Sequence, residues 1–162
     1  MNSSKLRDLL LSELYIAVRT TKELLKKVSE EDFSYQPTEK MRTLLEQANH
    51  LVQIPFVDIA IGQEKTEAEI RQLEKELYST DVIKLGDVME RGFQELKAYY
   101  ESLSEEDFLE KVTKPFYFSP DMAGHTQAKW LIETTTHAFH HRGQFFNYLK
   151  ELGKEVNMFD LY

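Results

Sequence analysis

Two of the five histidines, His137 and His141, stand four residues apart in a stretch that reads as helix over residues 126–152. That spacing sets two imidazoles on one helix face, about 6 Å apart at Cβ. Their nitrogens can then reach one ion at about 2.0–2.1 Å. At about 100° per residue, Trp130, Thr134, His137, His141, Gln144 and Tyr148 share this face. The stripe is semi-polar where a pure core stripe would carry Leu and Ile. A bare H-x-x-x-H is short, however, and two ordinary helix residues, one hydrogen-bonded and one solvated, read the same way. His50 adds weight to the metal reading. It lies on an earlier helical stretch, residues 44–61, beside Gln47, Ile54 and Val57. If the two helices pack face to face, His50 meets the other two, and three neutral imidazoles with water form an open site suited to Zn or Ni. His140, about 60° around the helix from His137, reads as a surface residue, with a supporting contact to a ligand as the alternative. His125 reads as a solvated loop histidine, near enough to be a spare ligand as the alternative.

Other chemistries lack their residues. A metalloprotease H-E-x-x-H needs Glu where Ala138 stands. Di-iron bundles need Glu three residues before His, whereas Glu46 and Glu133 each precede theirs by four. There is no cysteine, hence no thiolate ligand or nucleophile, and no Gly-rich phosphate loop or G-x-S-x-G.

Four long stretches with helical periodicity must position the histidines: residues 4–28, 44–61, 82–103 and 126–152. The first places Leu6, Leu10, Leu14, Ala17, Leu24 and Val28 near one face. Thr43-Leu44-Leu45-Glu46 opens the second as a capping box. Gly153 is placed to end the fourth in a left-handed conformation. The charged connection over residues 63–78 is itself helical in pattern, a long crossover between the second and third bundle helices. It reads as a solvated crossover or a docking surface. Residues 114–124, with Pro115, Pro120, Phe116, Tyr117 and Phe118, read as an ordered loop over one end of the bundle, with a short strand at Phe116–Phe118 as an option. Ser29-Glu30-Glu31-Asp32-Phe33 recurs 75 residues later as Ser104-Glu105-Glu106-Asp107-Phe108. Leu44–His50 resembles Leu131–His137 at an offset of 87. The chain thus looks like two helix pairs of similar layout with His50 and His137 in equivalent places, although short acidic turns also recur by chance.

The 162 residues suit one domain, residues 1–162, with one core. Six Gly and four Pro are few for an all-β chain of this size, so the fold class is all-α. A formal charge of −8 disfavours nucleic acid and anionic membrane as partners. The first residues do not form a secretory leader, no stretch is long enough to span a bilayer, and the cytoplasm is the expected location.

The string His137-Ala138-Phe139-His140-His141-Arg142-Gly143-Gln144, with the upstream His50 in Glu46-Gln47-Ala48-Asn49-His50-Leu51, resembles the H-x-x-x-H-R-G-Q signature of the damage-inducible DinB-like family of bacterial proteins. The Ser-Glu-Glu-Asp-Phe turn, the crossover and the tail after Gly153 extend the likeness over the whole chain. The resemblance implies a four-helix bundle with up-down-down-up wiring, a divalent metal such as Zn or Ni on His50, His137 and His141, and a homodimer. It also implies a metal-dependent enzyme, a thiol transferase taking a low-molecular-weight thiol such as bacillithiol, or a hydrolase. The alternatives are a metal-binding stress-response module without turnover and a metal-free structural dimer. No catalytic residue is singled out; Tyr148, Gln144 and His140 are candidate supports. Gly143 in mid-helix costs roughly 1 kcal/mol relative to Ala, which suggests close approach of another helix. Arg142, off the histidine face, is expected to make an ion pair or cap a loop.

Overall fold

The computed structural model describes residues 3–162. The α-helices are α1 (Ser3–Leu25), α2 (Leu44–Gly62), α3 (Glu67–Leu77), α4 (Val82–Ser102), α5 (Glu105–Glu110) and α6 (Gln127–Glu151). Strand β1 (Val112–Thr113) pairs antiparallel with β2 (His125–Thr126). Each long helix begins and ends where local chemistry allows. The Thr43 hydroxyl accepts from Glu46 N at 3.2 Å while the Glu46 carboxylate accepts from Thr43 N at 2.8 Å, the capping box that the sequence predicts. Thr66 and Glu69 repeat the device at the start of α3. Gly153, at φ 74°, turns the chain out of α6.

The four long helices α1, α2, α4 and α6 bury one seam of apolar side chains between them. Leu14, Leu24, Leu44, Leu51, Leu85, Leu96, Leu131 and Phe145 are completely buried. On α1 the seam runs through Leu11, Leu14, Val18 and Leu24, while Leu6 and Leu10 are only half-buried, as is Val28, which lies beyond the helix end at Leu25. Helix α1 runs antiparallel to α4: Arg7 donates to Tyr100 O at 3.1 Å, the Tyr15 and Phe93 rings meet at 4.9 Å, and Lys22 pairs with Glu90 at 2.8 Å. Helix α2 runs antiparallel to α6, with Gln47 beside Gln144 at one end and Gly62 beside Trp130 at the other. Pro55 lies inside α2, and the ring of Phe56 next to it lies against Gly92 of α4. A Cβ at position 92 would sit 2.8 Å from that ring. Glycine there is what allows α2 and α4 to come so close.

Several sequence expectations change here. The strand lies at Val112–Thr113, not at Phe116–Phe118, because Thr113 is tied on three sides: its hydroxyl donates to Gly62 O at 2.7 Å and accepts from Trp130 Nε1 at 2.9 Å and from Gln127 Nε2 at 3.1 Å. Gly143 has no heavy atom within 4 Å of where a Cβ would stand, so no helix approaches it closely in the described chain. Arg142 caps the tail: it donates to Leu161 O at 2.8 Å and to the Thr20 hydroxyl at 3.0 Å, with its guanidinium over the Phe139 ring. The two Ser-Glu-Glu-Asp-Phe turns share capping by their Ser and Asp but differ in partners. Asp32 is buried against Lys154 at 2.6 Å, whereas Asp107 is exposed.

Two stability outcomes follow from this packing. Gly143→Ala adds helix propensity and meets open space, so it should raise stability by about 0.5–1 kcal/mol in urea denaturation; a loss of stability would reveal a neighbour at that position. Burial opposes ionisation of Asp32, but the Lys154 ammonium and the Ser29 backbone and hydroxyl donors outweigh it and hold the carboxyl below its ordinary range. The folded value is thus the lower one, and the stability it provides is complete above the unfolded value and lost as pH falls through the folded one. Asp32→Asn should be clearly less stable than wild type at pH 6, with the gap closing in more acid solution.

Candidate metal centre

Helices α2 and α6 bring His50, His137 and His141 together. One nitrogen from each ring lies within 4.8 Å of the others. His50 Nε2 and His141 Nε2 are 3.0 Å apart. The ring centroids are 4.2 Å apart for His50 and His141, 4.9 Å for His137 and His141, and 5.4 Å for His50 and His137. Four ligands placed tetrahedrally at about 2.0–2.1 Å are about 3.3 Å from each other. The His50–His141 pair already stands near that spacing, and the widest pair would draw in by roughly 1–2 Å around an ion.

Which nitrogens face the centre is settled by what the opposite nitrogens do. The Gln144 carbonyl oxygen can only accept, so at 2.8 Å it takes the Nδ1 proton of His141. Gln47 also comes within 3.2 Å of that Nδ1, but its amide hydrogens have acceptors in His141 O and the Gln144 carbonyl, each at 3.2 Å. The neutral His141 ring is therefore left with a bare Nε2 lone pair aimed at His50. His137 donates its Nδ1 proton to Asp58, at 3.0 and 3.3 Å from the two carboxylate oxygens, which leaves its Nε2 free as well. A bare lone pair on His50 Nε2 would repel that of His141, 3.0 Å away. Either His50 supplies a proton to the gap or a cation fills it.

Electrostatics keep two of the rings neutral. Burial, helped by the positive charge of Arg42 and by neighbouring rings, lowers His50 to about 3. Burial lowers His141 to about 4, against the opposing bond to Gln144. At His137 burial also disfavours the charged form, but the Asp58 carboxylate prevails and the value is raised. Neutral imidazoles have the lone pairs that a transition-metal ion needs. The donor set of three nitrogens from two helices could hold one such ion.

His140 is exposed and touches the cluster through Gln144, whose amide nitrogen is 3.1 Å from His140 Nε2. His125 stands apart from the cluster, in β2, where it packs on Phe118 and Trp130 and faces Glu133 at 3.3 Å. Tyr148 does not reach the rings; its hydroxyl donates to Arg42 O at 3.0 Å. The residue that sequence reasoning missed is Asp58. Carboxylates are sparse on the histidine face of α6, but this one arrives from α2. The available signal was the antiparallel register: a partner for His137, N-terminal to His141 on α6, must come from beyond His50 on α2.

A carboxylate that fixes the tautomer and tilt of a ligating histidine commonly accounts for 10–100-fold in metal affinity. Asp58→Ala should therefore weaken Zn binding by about 10–100-fold in competition with a chromophoric chelator, with the helical circular dichroism kept. Unchanged affinity would separate Asp58 from the centre.

A family model for the DinB family matches residues 1–162. Among solved structures, a DinB-family protein from Exiguobacterium sibiricum 255-15 is 25% identical, with a TM-score of 0.75 and 97% of each chain covered. A DinB-like protein from Bacillus subtilis, YjoA, is 22% identical, with a TM-score of 0.64 over 91% of this chain and 94% of that one. Another from Bacillus cereus ATCC 10987 is 18% identical, with a TM-score of 0.66 over 91% and 93%. The last two, at such identity, speak to the fold alone. No curated protein matches the sequence. With the H-x-x-x-H-R-G-Q string in place and the family match running from end to end, the chain belongs to the DinB family.

Proposed function

We propose that this chain binds one divalent transition-metal ion, Zn or Ni, through His50, His137 and His141, and works as a metal-dependent enzyme. Thiol transfer from a low-molecular-weight thiol such as bacillithiol is the reaction we favour, with hydrolysis as the related alternative. The observation that carries the reading is the convergence of one nitrogen from each of three rings within 4.8 Å, with the bare Nε2 of His141 3.0 Å from His50 Nε2 and both of those rings held neutral by burial. An ion held there supplies Lewis acidity, which makes a water or a thiol a nucleophile near neutral pH.

The chain's own residues do the rest. Asp58 and Gln144 hold the rings in position. A cleft of about 520 Å³ opens beside His137, walled by Ile61, Tyr117 and Trp130 with Asp58, Glu133 and His140 at its rim. Its apolar and aromatic walls suit the body of an electrophilic acceptor. We further read residues 1–162 as one domain that acts in the cytoplasm as a homodimer. Among the described residues no helix is long and apolar enough to cross a membrane. Exposed Met158, Phe159 and Tyr162 at the end of the chain offer apolar surface for a second copy.

One observation favours a second reading, a metal-binding stress-response module without turnover. The carboxylates nearest the rings are engaged: Asp58 with His137, and Glu133 with Lys129 and His125. None is left as a ready general base.

Protein purified without chelator should carry about one Zn or Ni per chain. Saturating metal at 100 times the dissociation constant should add about 2.7 kcal/mol of stability. His137→Ala and His141→Ala should abolish both effects. Absence of bound metal together with no thermal shift on adding Zn or Ni ends the metal reading. Metal without conjugation of any small thiol to a generic electrophile favours the second reading.

A further inference from the structure

The cleft beside His137 has an aromatic wall that is held in place. Its loop, residues 114–124, closes on the β1–β2 pair. A Cβ at Gly124 would stand 2.5 Å from Thr113 O, so glycine is what lets the two ends of the loop meet. Lys114 N donates to the Glu64 carboxylate at 3.0 Å, and Lys114 Nζ donates to Pro120 O at 2.9 Å. The rings then follow one another in edge-to-face contact: Phe116 on Tyr117 at 5.2 Å, Tyr117 on Phe118 at 5.5 Å, Phe118 on His125 at 5.2 Å and His125 on Trp130 at 5.0 Å. Tyr117 thus belongs to a row of rings anchored on a buried tryptophan.

The other polar side chains around this cleft are engaged. Asp58 pairs with His137, and Glu133 with Lys129 and His125. The Thr136 hydroxyl donates to Glu133 O at 3.0 Å, Trp130 Nε1 to the Thr113 hydroxyl at 2.9 Å, and the Gln144 amide to His140 Nε2 at 3.1 Å. Among the described residues, the Tyr117 hydroxyl makes no hydrogen bond. Burial and the negative charges of Asp58 and Glu133 hold its phenol above the ordinary value, so at neutral pH it keeps the proton it can donate. The cleft therefore presents an apolar wall, one unspent neutral donor and two carboxylates already paired.

We propose that this cleft binds an uncharged, apolar molecule through a carbonyl oxygen, which accepts from the Tyr117 hydroxyl while the hydrocarbon lies against Ile61 and the aromatic wall. A carbonyl needs only a donor. An anion would meet the charges of Asp58 and Glu133, and an ammonium would compete with the partners those carboxylates already have. Joined to the thiol-transfer reading, on which this last step rests, the ligand is the acceptor, an α,β-unsaturated ketone. The sulfur–carbon bond forms at the β carbon, the alkene π pair moves toward the carbonyl oxygen, and the proton of the thiol ends on the α carbon. Tyr117 donates to that oxygen as its negative charge grows.

Amide-shift NMR titrations of the metal-free protein test the cleft apart from any metal. The probes are acetophenone, α-methylstyrene (the same shape with a methylene in place of the carbonyl oxygen), benzoate and benzylamine. Saturable shifts around Ile61, Tyr117 and Trp130 are expected with acetophenone, and weaker binding with benzoate and benzylamine. Tyr117 is exposed, so Tyr117→Phe should keep the fold. It should weaken acetophenone about fivefold, as losing one neutral hydrogen bond does, and leave α-methylstyrene unchanged. No saturable shift with acetophenone, an equal change for the two isosteres, or tighter binding of either charged probe overturns the proposal. For the reaction, Zn-loaded protein should add 2-mercaptoethanol to phenyl vinyl ketone, at least about tenfold more slowly in Tyr117→Phe. The same rate in the variant overturns that half. No addition by wild type refutes the thiol-transfer reading, while the acetophenone and α-methylstyrene titrations still decide the cleft.

Discussion

The register of α2 against α6 sets where every polar contact of the metal centre falls. These helices run antiparallel, and their contacts step along both: Gln47 with Gln144, His50 with His141, Asp58 with His137, and Gly62 with Trp130. A slip of one residue would turn each side chain by about 100° around its helix and scatter all four pairs at once. The register is held at both ends by contacts that have nothing to do with the rings. At one end the Tyr148 hydroxyl grips Arg42 O; at the other, Trp130 lies over Gly62 while both are tied to Thr113. The short β1–β2 pair therefore matters more than its size suggests, since it locks the end of α2 to the start of α6.

Within that frame the cluster is an electrostatic balance. Burial and the Arg42 charge push the three rings toward neutrality, and Asp58 pulls one of them back. The result is a group of lone pairs facing each other in a partly dry setting, with their outer nitrogens engaged by Gln144 and Asp58. Such an arrangement is costly for the folded chain alone. It is relieved by a proton on His50 or by a cation at the centre. The polar side chains of α2 and α6 that face one another thus act as a unit, and their burial is explained by the rings they hold.

The crossover has a place in the same scheme. Its surface is charged and exposed, with ion pairs such as Arg71–Glu74 and Lys65–Glu69 that contribute little each. Its inner residues Ile70 and Leu77 are buried, and Asn49 and Gln53 stitch its end to α2. It is a solvated crossover, as its sequence suggests, but it also forms one wall of the opening at His50. The aromatic loop near Tyr117 forms a wall of the opening at His137. The crossover and the aromatic loop thus each wall one of these openings.

Much of this was legible from local pattern. Period-3.6 hydrophobicity marks the four long helices and the crossover. Thr43 with Glu46 and the left-handed Gly153 mark helix ends, because capping depends on residues a few positions apart. The H-x-x-x-H spacing puts His137 and His141 on one face for the same reason, and the repeat suggested His50 as their companion. Other features were not legible, because they depend on which helices touch and at what height. Asp58 is paired with a histidine 79 residues away. Gly143 in mid-helix suggests a close approach yet stands free, while Gly92 is crowded by the Phe56 ring, a neighbour set by the packing of α2 on α4. The loop's strand moved to Val112–Thr113 because Gly62, Gln127 and Trp130 supply the bonds there. Residue type and spacing along the chain specify the helices, their caps and which three histidines matter. The point where the rings meet, their proton positions and the openings beside them come from packing register between segments far apart in the chain, which no local pattern encodes.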